Sequence, residues 1–275
     1  MASEGLQGHR ARKRFGQNFL HDRHWIERIA KAVNATEGDD IVEIGPGQAA
    51  LTRELIAGAG KVRAVEIDRD LAAWLKETFP ESLSLIEADA LTLDWTQVAK
   101  NDNLRVVGNL PYNISSPLLF KLLEAADHVK DQHFMLQKEV VDRMVAQHGS
   151  KTYGRLSVML QWRYRIQKLF DVPPGAFNPP PKVMSSVVRM IPKAKEEVPS
   201  VDFELFSSVV ANAFSQRRKT IRNALSALLS AEEIAACDVD PGTRAEALPL
   251  DAFVRLAQKA EALGRQAVTP GTTVD

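Results

Sequence analysis

Two things are scarce in this 275-residue chain: cysteine and uninterrupted apolar sequence. The single cysteine, Cys237, has no partner for an internal disulfide. That excludes a disulfide-stapled extracellular scaffold and points to a reducing, cytoplasmic setting, with the thiol serving as a small apolar filler. No run approaches the ~18 apolar residues that a membrane helix needs, so no spanning segment is expected. Arg10, Arg12, Lys13 and Arg14 precede Phe15-Gly16-Gln17-Asn18 rather than an apolar h-region, which argues against a secretory signal. Net charge is missing as well. The 35 basic and 35 acidic residues cancel, so a polyanionic partner would have to be met by a local basic patch. Metal-ligand spacing is absent: His21 and His24 stand three apart, with no cysteine or third histidine placed to complete a site. Neither a G-x-S-x-G elbow nor an H-x-E with paired cysteines occurs, which removes the common hydrolase and zinc-deaminase classes.

What is present is a regular alternation. Ile41 to Ile44, Val62 to Asp68, Leu83 to Asp89, Leu104 to Gly108 and Phe134 to Gln137 are short apolar runs that read as strands. Helical stretches separate several of them, over Leu51–Ile56, Asp70–Phe79 and the segment opened by Ser115-Ser116-Pro117. Strands alternating with helices predict a parallel, doubly wound sheet. Past Gly154 the spacing predicts a helix over Leu156–Trp162, a strand over Arg163–Phe170, a proline-bracketed loop with Phe177 and Asn178, and a strand over Val183–Ile191. Lys193 to Ser200 reads as a linker. Phe203–Leu229 and Ala252–Leu263 then read as helical, with no strand signal. The expected organisation is an α/β domain over 1–193, a small all-helical domain over 194–263 and a disordered tail over 264–275.

The chemistry gathers at strand ends. Gly45-Pro46-Gly47-Gln48-Ala49-Ala50 fits G-x-G-x-x-[GA] between strand and helix, and Glu66 ends the next strand 21 residues after Gly45. That is where a carboxylate accepts both ribose hydroxyls of a bound nucleoside. The glycines alone leave a dinucleotide and S-adenosylmethionine open. Three features favour the second: Glu43 beside a methionine ammonium, Asp89 placed for an adenine amine, and Asn109-Leu110-Pro111-Tyr112 closing the fourth strand. In that tetrapeptide the Asn109 oxygen and the Leu110 carbonyl can accept from an exocyclic amine, while the Tyr112 ring stacks on the base.

Five motifs occur in order: Arg14 to Leu20 (RFGQNFL), Glu43 to Gly47 (EIGPG), Asn109 to Tyr112 (NLPY), Phe177 to Val183 (FNPPPKV) and Phe214 to Lys219 (FSQRRK). By these motifs the chain resembles the ribosomal RNA adenine dimethyltransferases from about Lys13 to about Leu263, most closely their bacterial small-subunit, kasugamycin-resistance branch. It departs from the commonest family form at Gln48-Ala49, where Thr-Gly is frequent. The resemblance implies a Rossmann-like S-adenosylmethionine-dependent methyltransferase fold with a small helical C-terminal domain. It also implies N6,N6-dimethylation of two adjacent adenosines in the 3′-terminal hairpin loop of 16S rRNA. The expected partner is that rRNA within an assembling small subunit, and a monomer is the default expectation. Carried over, Asn18 and Leu20 belong to a segment closing over the cofactor, with Gly45 at its methionine part; Gly47 is expected to bind the cofactor as part of the glycine loop. Glu66 meets its ribose, Asp89 its adenine ring, and Asn109 stands between cofactor and target amine. Tyr112 and Phe177, the latter in an exposed loop, would sandwich the flipped base. Arg12, Lys13 and Arg14, with Arg217, Arg218, Lys219 and Arg222, would hold phosphates, since no acid lies between Phe206 and Ala231. Two alternatives share the fold: a large-subunit rRNA adenine N6-methyltransferase and a non-catalytic ribosome-assembly factor.

Overall fold

The structure is a computed structural model, and it describes residues 6, 16–216 and 218–270. Arg10, Arg12, Lys13, Arg14 and Arg217 lie outside the described residues. The chain falls into two compact units: Met1–Val141 with Arg165–Pro192, and Asp142–Tyr164 with Lys193–Asp275.

In the first unit the strands are β1 (Phe19–Leu20), β2 (Ile41–Ile44), β3 (Val62–Glu66), β4 (Leu83–Glu87), β5 (Leu104–Asn109), β6 (Val129–Gln137), β7 (Tyr164–Val172), β8 (Phe177–Asn178) and β9 (Ser185–Pro192). Seven form one sheet in the order β4-β3-β2-β5-β6-β9-β7, while β1 and β8 pair separately and antiparallel. From β4 through β6 all pairings are parallel, and β9 joins β6 antiparallel. The chain builds outward from β2 to β3 and β4, then returns to place β5 on the other side of β2. The reversal between β2 and β5 is a topological switch point, where the carboxyl ends of parallel strands leave a crevice. The helices here are α1 (Arg23–Val33), α2 (Ala50–Ala59), α3 (Arg69–Thr78), α4 (Trp95–Val98) and α5 (Ser115–Leu123); α6 (Lys138–Met144) follows β6. Asp22 caps α1 by accepting from His24 N–H, and Asp68 caps α3 by accepting from Asp70 N–H, satisfying donors that a helix start leaves open.

Strand β6 begins five residues before the apolar run that marks it in the sequence. Among its early residues, Asp131 meets a buried cation. Arg105 on β5 is 5% exposed, and it makes paired bonds of 2.9 Å to both Asp131 oxygens, one of 2.7 Å to Asp39 and one of 2.6 Å to the Val33 carbonyl. A guanidinium so enclosed is tolerable only with its donors satisfied, and here they tie α1 to the sheet edge opposite the crevice. The same environment holds the Asp39 carboxyl down at about 2, hydrogen bonds and the Arg105 charge outweighing burial.

The second unit contains α7 (Arg155–Arg163), α8 (Phe203–Ala213), α9 (Ile221–Ala224), α10 (Ala231–Ala235) and α11 (Leu250–Ala262). Here the structure departs from the expected organisation in three ways. First, 142–164 belongs to this unit rather than to an α/β domain over 1–193, because Trp162 of α7 packs on Phe203 and Phe206 at ring separations of 5.7 and 5.3 Å. Second, the helix expected over Phe203–Leu229 stops at Ala213 and resumes only at Ile221. Third, the tail expected to be disordered from residue 264 is anchored as far as Val268. Its N–H donates to Ser208 Oγ at 2.9 Å, and its carbonyl accepts from Asn212 Nδ2 at 3.0 Å.

Candidate active site

Four parallel strands end side by side at the switch point, since Ile44 pairs with both Val65 and Gly108, and Glu66 pairs with Glu87. Residues just beyond those ends therefore share one edge. They enclose a cavity of about 290 Å³ lined by Gly45, Gly47, Glu66, Asp89 and the Asn109–Tyr112 segment, with Gly16 to Phe19 on its far side.

The turn after β2 has Gly45 at φ 67° and Gly47 at φ 54°, a region that costs any residue with a Cβ. At Gly47 there is a steric reason too, because an added Cβ would stand 3.0 Å from the Phe19 ring. Ala49 also sits at φ 61°, so this chain carries an alanine where a left-handed backbone favours glycine.

Glu66 is 4% exposed. One of its oxygens accepts from Asp68 N–H at 2.9 Å and the other from Gly47 N–H at 3.3 Å. Burial raises its pKa in spite of these two bonds. The carboxylate is thus short of donors at the cavity wall, and a pair of hydroxyls would supply them. Asp89 is half-buried in the turn after β4, accepts from Leu91 N–H at 2.9 Å and faces the same cavity. Ile67, 43% exposed and unremarked in the sequence, adds an apolar wall between these two acids. An exposed isoleucine after a strand carries no pattern that would single it out.

At the end of β5, Asn109 Nδ2 donates to the Asn18 carbonyl at 3.0 Å, and Oδ1 has no partner among the described residues. Leu110 N–H is bound to the Met135 carbonyl at 3.1 Å, while its own carbonyl accepts nothing among the described residues. Pro111 follows with no N–H to offer. Two acceptors are therefore left at the cavity wall. Tyr112, half-buried, lines the cavity with its hydroxyl 2.8 Å from Ser185 Oγ on β9, which fixes the ring plane. Burial raises its pKa, so the phenol stays neutral.

Three sequence-predicted site residues do not line the main cavity. Phe177, expected in an exposed loop, is 2% exposed, pairs with Leu20 and belongs to the main apolar cluster. The prolines around it end strands rather than expose them. Leu20 is 8% exposed with its side chain in that cluster, and it follows directly on the Gly16–Phe19 segment that lines the cavity. Glu43, expected at a methionine ammonium, lies behind the glycine turn beside an adjoining space of about 40 Å³ that shares Phe19, Gly45, Gly47 and Asn109 with the main cavity. It is 3% exposed and accepts from Thr52 Oγ1 at 2.6 Å. Burial, with Glu66 adding to it, pushes its pKa up to about 7. A side chain at β2 alternates away from the crevice while the turn residues face it, and spacing alone does not register that.

In the second unit Arg218, Lys219 and Arg222 are exposed. The break between α8 and α9 places them on a turn and a short helix rather than along one long helix face. A bridge between Thr220 and Arg244, with Ile221 N–H donating to the Thr243 carbonyl at 2.7 Å, sets Arg244 beside them. None of the four forms an ion pair among the described residues. Arg244 was not legible in the sequence, because the pairing that recruits it is a single isolated bridge.

Residues 8–261 match the family model described as "Ribosomal RNA adenine dimethylase". The chain belongs to the ribosomal RNA adenine dimethylase family. Within that family, the "Ribosomal RNA small subunit methyltransferase A" of Thiobacillus denitrificans is 57% identical over 87% of this chain and 94% of its own length. The Acinetobacter baylyi protein of that name is 53% identical over 92% and 93%. Among solved structures, a dimethyladenosine transferase from Plasmodium falciparum superposes with a TM-score of 0.79 at 25% identity, covering 91% of this chain and all of its own. The 23S rRNA methyltransferase ErmE superposes at 0.69 with 26% identity, over 89% and 100%. The adenine dimethylase chain is thus a methyltransferase of mixed α/β fold. No described helix is long and apolar enough to cross a membrane. No group of three or more potential metal-ligating side chains occurs among the described residues.

Proposed function

We propose that this chain transfers methyl groups from S-adenosylmethionine to the N6 atoms of two adjacent adenosines in the 3′-terminal hairpin loop of 16S rRNA. One observation carries the assignment: a buried ribose-type carboxylate, Glu66, and two unpaired acceptors, Asn109 Oδ1 and the Leu110 carbonyl, share a single cavity. The donor set fits the cofactor. Glu66 would take the ribose hydroxyls, Asp89 the adenine amine, and Ile67 the face of its ring, with the positive-φ glycines keeping Cβ atoms out of the way. The cofactor, once bound, supplies an electrophilic methyl on a sulfonium.

The remaining work belongs to the chain. An adenine N6 lone pair is delocalised into its ring and is poorly nucleophilic. Two acceptors aimed at its N–H groups favour a pyramidal nitrogen whose lone pair projects away from them. Orientation and fixed dipoles of this kind supply several kcal/mol in a closed site. The Tyr112 ring stacks on the base, held in plane by Ser185. Each stack of this sort is worth ~1–3 kcal/mol. The methylated amine is acidic enough to lose its proton to water, so no general base is needed. The exposed cations Arg218, Lys219, Arg222 and Arg244 would hold RNA phosphates, and the substrate would be an assembling small subunit in the cytoplasm. The 53–57% identity to small-subunit enzymes, against 26% to ErmE, supports that target over the large subunit.

The test is tritium transfer from labelled cofactor to small subunits lacking the modification, with the modified nucleosides identified. Dimethyladenosine is the expected product. Asn109→Ala should lower transfer at least a hundredfold while RNA affinity stays within about twofold. Equal loss of both would remove Asn109 from the chemistry.

A further inference from the structure

An asparagine amide is nearly symmetric in shape, and only its partners decide which end carries the oxygen. For Asn109 that decision is made by the strap from Gly16 to Leu20. The Asn18 carbonyl can only accept, so Nδ2 must face it and Oδ1 must face the other way. Were the amide reversed, an N–H would confront the amine N–H of the target base and repel it. The catalytic geometry therefore depends on where one backbone carbonyl of the strap stands.

The strap is fastened on both sides of that carbonyl. Downstream, Phe19 lies against Gly47, and Phe19 and Leu20 pair with Asn178 and Phe177. His21 N–H then bonds to the Ala176 carbonyl at 3.0 Å. Upstream, Gly16 turns at φ 62°, where a Cβ would stand 3.1 Å from Asn113 Oδ1. The upstream side chain that reaches a rigid partner is Gln17, whose Nε2 donates to Asp68 Oδ2 at 3.2 Å. Asp68 is itself immobile. It is fully buried, its other oxygen caps α3, and its N–H is held by Glu66 at 2.9 Å.

We infer that Gln17 is a positioning residue for methyl transfer: by fastening the strap to the cap of α3 through Asp68, it holds the Asn18 carbonyl where it orients the Asn109 amide. The route runs from Asp68 to Gln17, through the strap backbone to the Asn18 carbonyl, and on to Asn109. Gln17 touches no reacting atom in this scheme. It sets the angle of the residue that does. The inference rests on the methyl-transfer reading of the cavity and adds to it a device that keeps Asn109 in one of its two flips.

The experiment compares wild type, Gln17→Leu, Gln17→Glu and the double variant Gln17→Glu/Asp68→Asn on unmethylated small subunits. It measures kcat, KM for RNA and cofactor Kd, with thermal unfolding as the folding control. Gln17→Leu, measured at saturating cofactor because Gln17 also lines the cavity, should lower kcat about tenfold, the rate equivalent of one hydrogen bond, with KM for RNA within about twofold. Gln17→Glu, which places a carboxylate against Asp68, should lose as much or more. Adding Asp68→Asn reverses donor and acceptor while keeping a good helix cap, and should restore kcat to within about threefold of wild type. Unchanged kcat with weakened cofactor affinity would overturn the inference and make the strap a lid only. So would failure of the double variant to recover activity while folding normally. An inactive wild type would instead refute the methyl-transfer reading itself, so the two failures are distinguishable.

Discussion

At the scale of single residues, Glu43 shows how burial sets the charge state of an acid inside a motif. It stands in the sequence as an acid before a glycine turn, and the chain folds it away behind that turn with Thr52 as its hydrogen-bond donor. Its pKa of about 7 lies well above the ordinary 4.5. Between those values the folded chain keeps a proton that the unfolded chain has shed, so stability falls as pH rises through the window. Above about pH 8 the deficit is fully developed, on the order of 3 kcal/mol. A glutamine side chain in its place would keep an oxygen for Thr52 and never ionise. Glu43→Gln should therefore unfold at a higher temperature than wild type at pH 8 without cofactor, and the advantage should shrink towards zero by about pH 5. An advantage independent of pH would show that the carboxylate is not what strains the native state. Ala49 makes a related point in backbone terms: its left-handed φ is held because α2 must start there, whatever residue occupies the position.

At the scale of elements, the strap and its partner strand redistribute the aromatic roles. Tyr112 and Phe177 look equivalent in sequence, both next to proline-rich turns at the site. The β1–β8 pairing buries Phe177 and leaves Tyr112 at the cavity wall. Phe177→Ala should accordingly cost ~3–5 kcal/mol of unfolding free energy, read from a denaturant midpoint. Tyr112→Ala should cost less stability but lower kcat/KM for RNA by about tenfold or more. The reverse pattern would return Phe177 to the base-stacking role. The strands carrying the site were legible because each is a short apolar run closed by a glycine, acid or asparagine. Two-residue strands such as β1 and β8 have no periodicity to read, and the polar start of β6 carries Asp131, whose partner is Arg105 on the neighbouring strand. The helix break after Ala213 was hidden for the opposite reason: residues 214–220 contain no glycine or proline to mark it, and what replaces the helix is a long-range bridge to Arg244.

At the scale of the whole molecule, the alternation of strands and helices was enough to give the parallel sheet and its switch point, but not the division into units. Helix α7 sits between two strands of the sheet in sequence and reads as part of the same repeat. Its apolar ring, Trp162, finds its partners on α8, beyond β7 and β9, and pairing at that distance leaves no local trace. Net charge behaves similarly. A formal balance of +0 gives no global attraction to RNA, so affinity must come from cations that the fold leaves unpaired. Arg218, Lys219, Arg222 and Arg244 meet that condition in the second unit. Each phosphate contact releases condensed counterions, so the salt dependence of RNA affinity counts them. Replacing Arg244 with alanine should reduce the slope of log K against log salt by about 1, and replacing Arg218 as well by about 2, with similar losses for loop sequences of any composition. Cofactor affinity should not change, because neither side chain lines the cavity. A slope unaltered by both substitutions would assign the phosphate contacts to other cations and leave this surface as solvated charge.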